Sequence, residues 1–194
     1  MKDIIFCILA GGKSKRFEAD KRFSYLGNKT LIEHTISTLK SFKSNIIIST
    51  RTGEKLKIKD TESIEDKEAF NGPLCGVYEV LKRFPLKNFV FLAADMPFIT
   101  RKMIEKLIAC INSGYFSCFF SSNDKIYPLP FAISHESIVF FKEKGCKNKK
   151  IKELLFFKNP CTINWSNPEN LFNINTQEDL ENAKLLAKKV HLDF

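Results

Sequence analysis

Histidine, tryptophan and methionine are scarce in this 194-residue chain, at three, one and three residues. His34, His135 and His191 lie far apart and form no ligand motif, which removes histidine-based metal centres from consideration. The six cysteines include no C-x-x-C pair. Metal-site spacing is therefore absent, and a chain of this length needs no covalent staples, so all six are expected as reduced thiols in or near the core. Gly and Pro number only 8 and 7, too few for a collagenous, linker-dominated or low-complexity chain. No stretch approaches the ~18 apolar residues of a membrane helix. The apolar run at residues 4–10 barely reaches the length of an export signal, and Lys13, Lys15 and Arg16 follow it directly. The expected compartment is the cytoplasm, with no membrane partner. Two nucleotide fingerprints are missing as well. Gly12-Lys13-Ser14 imitates the end of a P-loop, but the glycine required five residues earlier is Cys7, and no G-x-G-x-x-G occurs. Neither repeats nor a biased linker appear, so one domain is expected over residues 1–194.

What is present is ordinary for a globular protein, with 44% hydrophobic and 27% charged residues. Nineteen phenylalanines against four tyrosines and one tryptophan predict a core built on Phe. The net charge of +9 comes from 31 basic and 22 acidic residues. A basic nucleic-acid-binding module is one reading of that excess. The positive residues are spread along the chain, however, with one concentration over residues 142–152, and no ribonucleoprotein-type strand, zinc finger or arginine-rich arm is present. A pocket for polyphosphates uses the same charge.

Periodicity predicts alternating strands and helices. Residues 4–9 form an apolar run stopped by Gly11-Gly12, the pattern of a buried parallel strand. Thr30 and Glu33 form a capping box ahead of Leu31, Ile32, Ile36 and Leu39. Residues 46–48 and 89–93 are further strands, and Gly72-Pro73 and Thr100 open helices. Residues 116–120 and 127–133 are also strand-like, the latter interrupted by Pro128 and Pro130 in the manner of an edge strand or a bulge. Short helices are expected after Ser134 and near residues 150–157, and Thr176 to Asp179 caps a last one. The fold class is α/β, a Rossmann-like, mainly parallel sheet flanked by helices, which binds ligands at the carboxyl ends of its strands.

Four segments at such positions carry candidate chemistry. The first runs from Leu9, Ala10, Gly11 and Gly12 through Lys13, Lys15, Arg16, Lys21 and Arg22, a glycine turn followed by a cationic loop long enough to fold over a triphosphate. Alone it also fits a solvated basic loop. The second is Asp95, at the end of a buried strand and just before Pro97, placed to hold Mg²⁺ or simply to cap a turn. Asp66, shortly before Gly72-Pro73, is by itself a loop carboxylate. Asn173 and Asn175 fall on one side of an extended segment, where two amides could face one ligand or serve a helix start.

In this order the segments resemble the molybdenum cofactor guanylyltransferases, the MobA family. The likeness rests on Leu-Ala-Gly-Gly, Arg16-x-x-x-Asp20-Lys21, Gly72-Pro-Leu-Cys-Gly76, Asp95-Met-Pro-Phe and Asn173-Ile-Asn-Thr-x-Glu-Asp-Leu180, and runs from residue 4 to about 185. Related cytidylyltransferases usually have Leu-Ala-Ala-Gly in the first motif. The resemblance implies transfer of GMP from GTP to Mo-molybdopterin with Mg²⁺ and release of pyrophosphate, and molybdoenzymes or cofactor-delivery proteins as partners. It also implies that Leu9, Ala10 and Gly11 contact the nucleotide through backbone, with Gly12 and Arg16 beside them. Lys21 would hold phosphates, Asp66 the guanosine part and Asp95 the metal, with Asn173 and Asn175 at the same site. Ser49 stands where the family often has Asn, and Glu18 where it usually has Gly. The basic residues Lys147, Lys149 and Lys150 fall where the family often has arginines, and either attract the pterin phosphate or form a solvated face. Three other activities fit parts of the pattern: a relative using CTP or a sugar-phosphate acceptor, the nucleic-acid module, and a nucleotide binder without catalysis.

Overall fold

The computed structural model describes residues 4–11, 17, 20–66 and 72–189. The chain runs β1 (Ile4–Leu9), β2 (Tyr25–Leu26), β3 (Lys29–Thr30), α1 (Leu31–Lys40), β4 (Ile46–Thr50), β5 (Glu62–Glu65), α2 (Pro73–Arg83) and β6 (Asn88–Ala93). It continues as α3 (Arg101–Asn112), β7 (Ser117–Ser122), β8 (Lys125–Ile133), α4 (Ile138–Lys144), α5 (Ile151–Leu155), β9 (Pro160–Asn164) and α6 (Gln177–Lys189). Seven strands make one sheet in the order β5-β4-β1-β6-β8-β7-β9, and β2 pairs with β3 in a separate hairpin. Within the seven, β8 alone runs antiparallel to its neighbours. The expected mainly parallel α/β architecture is the one observed.

Both faces of the sheet are covered, which is why β1, and β6 from Phe89 to Ala93, are apolar throughout rather than alternating. Phe6 and Ile8 of β1 pack with Ile32, Ile36 and Leu39 of α1 and with Met103, Leu107 and Ile111 of α3. Ile5 and Cys7 turn to the other face, against Leu74, Val77, Val80 and Leu81 of α2, with α4 and α5 beyond. Among the largest fully buried side chains are eight phenylalanines, from Phe6 to Phe140, as the composition predicts. Capping follows the sequence: Glu33 accepts from the Thr30 N–H at 2.8 Å, and the Met103 N–H donates to Thr100 Oγ1 at 3.3 Å.

One expectation is resolved between its two alternatives and one is corrected. Of the edge strand or bulge expected at Pro128 and Pro130, the bulge is observed, because β8 lies between β6 and β7. Its prolines are tolerated because the β7–β8 register jumps from Phe119↔Phe131 to Phe120↔Tyr127, leaving both in a bulge without ladder partners. The cysteines are not all reduced: Cys75 in the first turn of α2 is disulfide-bonded to Cys146 after α4, with Cα atoms 5.1 Å apart. The two half-cystines lie in one core cluster, brought together by packing of elements far apart in sequence.

Candidate active site

The carboxyl ends of β5, β4, β1 and β6 form a crest, and the chain reverses direction across it: β1 leads to β4 on one side and β6 returns on the other. Such a switch point is where open α/β sheets take their ligands. In strand order the crest carries Asp66, Ser49, the turn from Leu9 to Gly11, and Asp95. Three strand spacings separate Asp66 from Asp95, roughly 14 Å.

Asp95 is placed by backbone. The Ala94 N–H extends the β1–β6 ladder to the Leu9 carbonyl at 3.3 Å, so Asp95 emerges level with the turn after β1. Its own carbonyl accepts from the Ile174 N–H at 3.1 Å, fastening the distant 173–175 segment to it. Lys21, at the start of a single 3₁₀ turn, brings its ammonium to Asp95 Oδ2 as an ion pair. The same Nζ donates to the Ile174 carbonyl at 3.0 Å and to Asn175 Oδ1 at 3.1 Å. Asn175 is aimed from behind by Asp179, whose Oδ2 accepts from the N–H groups of Asn175 and Thr176 at 2.8 Å each. Asp95 is 8% exposed, and its Oδ1 is buried with no hydrogen-bond partner among the described residues. A carboxylate with one oxygen committed to a lysine and the other unsatisfied suits a hard cation.

Lys21, Asp95 and Asn175 are thus brought together as the sequence predicts. Asn173 and Asn175 do share an exposed side, with Ile174 fully buried between them, but Asn175 is the one that contacts Lys21. Asp66 sits at the end of the edge strand, its N–H on the Thr50 carbonyl at 2.9 Å and its carbonyl accepting from Thr52 Oγ1. Ser49 is 4% exposed and lies against α2, where a Cβ on Gly76 would meet Ser49 Oγ at 2.7 Å. Gly12, Lys13, Lys15, Arg16 and Glu18 fall outside the described residues.

The backbone of the turn is partly engaged within the protein. The Ala10 N–H donates to the Ser49 carbonyl at 2.8 Å, so it continues the sheet rather than facing a ligand. The Ala10 carbonyl takes Arg22 Nη1 at 2.7 Å. The first backbone N–H past this point belongs to Gly11, whose carbonyl is held by Arg51 Nε at 3.1 Å. Arg22 is turned to the protein: it is buried, paired with Asp20 and Glu54, and holds both carboxyls below the usual carboxylate range. Glu54 and Arg51 are site-shaping residues that sequence reasoning missed. Asp179, expected only as part of the cap at Thr176, also aims Asn175.

The basic stretch reaches the crest too. The Cys75–Cys146 bond ties it to the first turn of α2, and the Lys149 carbonyl lies 4.0 Å from where a Gly72 Cβ would be. Lys149 is ion-paired with Glu153 at 3.2 Å. Among the described residues no helix is long and apolar enough to cross a membrane.

Comparison with known proteins identifies the family. Residues 6–157 match the model of the MobA-like NTP transferase domain. A Pyrococcus furiosus protein named "Probable molybdenum cofactor guanylyltransferase" is 32% identical, with 96% of this chain and 99% of that one covered. The crystal structure of molybdopterin-guanine dinucleotide biosynthesis protein A from Archaeoglobus fulgidus superposes with a TM-score of 0.77 at 23% identity, covering 95% and 99% of the two chains. The 2-C-methyl-D-erythritol 4-phosphate cytidylyltransferase of Thermus thermophilus shares the fold, with a TM-score of 0.70 at 16% identity over 97% and 100%. Taken with the convergence of Lys21, Asp95 and Asn175 at the switch point, the chain is a nucleotidyltransferase and belongs to the MobA-like family of molybdenum cofactor guanylyltransferases.

Proposed function

We propose that the chain transfers GMP from GTP to Mo-molybdopterin, releasing pyrophosphate. The observation that carries the reading is the Lys21–Asp95 pair at the end of β6, with Asp95 Oδ1 left unsatisfied beside the turn after β1. The nucleotide lies along the crest, its guanosine toward Asp66 and Ser49 and its phosphates toward Lys21 and Asp95. The roughly 14 Å between the two ends suits a nucleoside triphosphate rather than a smaller anion.

An oxygen of the pterin's terminal phosphate attacks the α-phosphorus of GTP. A new P–O bond forms as the bond from the α-phosphorus to the bridging oxygen breaks, and that oxygen leaves with pyrophosphate. Both reactants are anionic, so the protein's task is to offset charge and align them. Lys21 supplies a fixed positive charge, oriented by Asn175 and the Ile174 carbonyl. Asp95 Oδ1 is the atom that would hold Mg²⁺, and a bound Mg²⁺ supplies charge neutralisation for the transferring and leaving phosphates. The attacking phosphate is already ionised, so no general base is required. The cytoplasm, where GTP is made and spent, is the compartment this chemistry calls for.

The test is pyrophosphate release from each of the four nucleoside triphosphates, with and without molybdopterin. GTP-dependent release that needs the pterin supports the reading. Preference for CTP moves the chain to the cytidylyl branch, and GTP binding without release makes it a nucleotide binder.

A further inference from the structure

Three thiols outside the active site converge on the opposite half of the sheet. The Sγ atoms of Cys110, Cys118 and Cys161 all lie within 4.8 Å of one another. They come from α3, β7 and β9. Cys118 and Cys161 are register partners in the parallel β7–β9 pair, so their side chains share a face, and α3 crosses that face to deliver Cys110. Cys118 is fully buried, whereas Cys110 and Cys161 are partly exposed. Through the β8 ladders Cys118 is level with Val90, five residues before Asp95 along β6, or roughly 16 Å along the strand direction. The cluster is therefore separate from the nucleotide site.

We propose that Cys110, Cys118 and Cys161 form a three-thiolate site for a soft metal ion, with Zn²⁺ as its ligand. Among the described residues no histidine or carboxylate joins the group, and an all-sulfur donor set favours a thiophilic ion over Mg²⁺ or Ca²⁺. Zn–S bonds of about 2.3 Å in tetrahedral geometry place sulfurs about 3.8 Å apart, so the cluster has to close by about 1 Å at most. Cys110 and Cys161 have room for that movement. Edge strand β9 leaves the cluster an open side, through which the ion enters and where water takes the fourth position. On binding, three S–H bonds are replaced by three Zn–S bonds and three protons leave to solvent, with no change of oxidation state. The bound ion would cross-link β9 to α3 at the edge of the sheet, a structural role independent of GMP transfer.

The full-length protein, reduced and metal-free, is titrated anaerobically with Co²⁺ as a spectroscopic probe and then with Zn²⁺. The expected result is one equivalent of Co²⁺ with a thiolate-to-cobalt charge-transfer band that Zn²⁺ abolishes by displacement. Cys110→Ser and Cys161→Ser should each weaken binding at least tenfold, whereas Cys75→Ser should leave the band intact and GMP transfer by Cys110→Ser should match wild type. Zn²⁺ should also protect Cys110 and Cys161 from alkylation in the wild-type protein, a measurement that needs no variant to fold. Absence of the band in wild type, its persistence in both serine variants, its loss in Cys75→Ser, or unchanged alkylation with Zn²⁺ would each overturn the proposal.

Discussion

At the scale of single residues, two glycines at the crest behave oppositely. A Cβ on Gly11 would find its nearest atom at 3.6 Å, an ordinary contact, and the backbone there does not need glycine's left-handed freedom. Gly11→Ala should therefore leave the melting temperature within about 2 °C of wild type. It should raise the KM for GTP, because the added methyl, beside the backbone of Thr50 and Arg51, crowds the crest on the side proposed for the nucleoside; an unchanged KM would remove Gly11 from the nucleotide site. Gly76 is constrained by the protein itself, since its Cβ would press on buried Ser49 Oγ at 2.7 Å. Gly76→Ala should cost about 1–2 kcal/mol through overpacking, partly offset by helix propensity. In a Ser49→Ala background the obstructing oxygen is gone, and the same change should be neutral or stabilising. A double-mutant cycle by urea unfolding reads this directly, with a coupling of about 1 kcal/mol or more expected and strict additivity counting against the contact. Asp95→Asn replaces an anionic ligand by a neutral amide at a position held by backbone bonds. Turnover should fall on the order of 10²-fold or more, with the far-ultraviolet circular dichroism unchanged. Wild-type turnover at ordinary magnesium concentration would take Asp95 out of the metal role.

At the scale of elements, the turn over Lys21–Phe23 is held by the neighbour of the functional lysine. Arg22 joins Asp20, Glu54 and the Ala10 carbonyl, so the loop after β1, the start of the 3₁₀ turn and the segment after β4 meet on one guanidinium. Removing it as Arg22→Ala strands two partly buried carboxylates and should cost about 3 kcal/mol. The sign with pH follows from the lowered folded-state pKa values of Asp20 and Glu54. Their contribution is full above the ordinary carboxylate range of about 4 and is lost as pH falls through the folded-state values. Urea midpoints measured from pH 7 down to pH 3 should fall for wild type and fall less for Arg22→Ala. Parallel curves would show that the pairing contributes no acid sensitivity.

The same turn shows what a sequence can and cannot disclose. Lys21 and Arg22 are adjacent and equally charged, yet one meets Asp95 and Asn175 at the switch point and the other is buried against Asp20, Glu54 and the Ala10 carbonyl. What decides between them is Glu54, a residue remote in sequence with no motif of its own. Strands β1, β4 and β6 were legible because burial on both faces demands unbroken apolar runs. Strands β5 and β9 were not, since both are partly exposed edges whose short, mixed sequences carry no such run. The Thr30, Thr100 and Thr176 helix starts were legible because a cap is a local interaction. The Cys75–Cys146 bond and the three-cysteine cluster were invisible because only tertiary packing brings those side chains together.

At the scale of the whole molecule, the basic stretch at residues 145–150 is fastened to α2 rather than to the nucleotide turn. We propose that its lysines meet the acceptor's phosphate, since Lys21 already serves the nucleotide's. Lys149→Ala combined with Lys150→Ala should weaken molybdopterin binding by roughly fivefold, about 1 kcal/mol, and leave GTP affinity nearly unchanged. The loss is kept modest by Lys149's existing pair with Glu153, which an arriving phosphate must share. A fall in GTP affinity without one in pterin affinity would place the stretch on the other side of the site.

Strand β8 has a wider effect than its two prolines. Because it runs against the rest of the sheet, it returns the chain from the crest to the base after β7, without a helical crossover. The second half of the chain then reaches the crest again at residues 145–150 and at residues 165–176, having already turned there at Asn123 and Asp124. The parallel half ending in β6 makes the nucleotide's floor, and these later visits make a rim with separate points of attachment. We expect acceptor choice to be modular. The loop at residues 145–150 or the turn at Asn123 and Asp124 can be exchanged for one of different length or charge without altering any strand register or the 173–175 segment that holds Lys21, and such a graft should change which phosphate is accepted while the enzyme continues to draw on the same nucleotide.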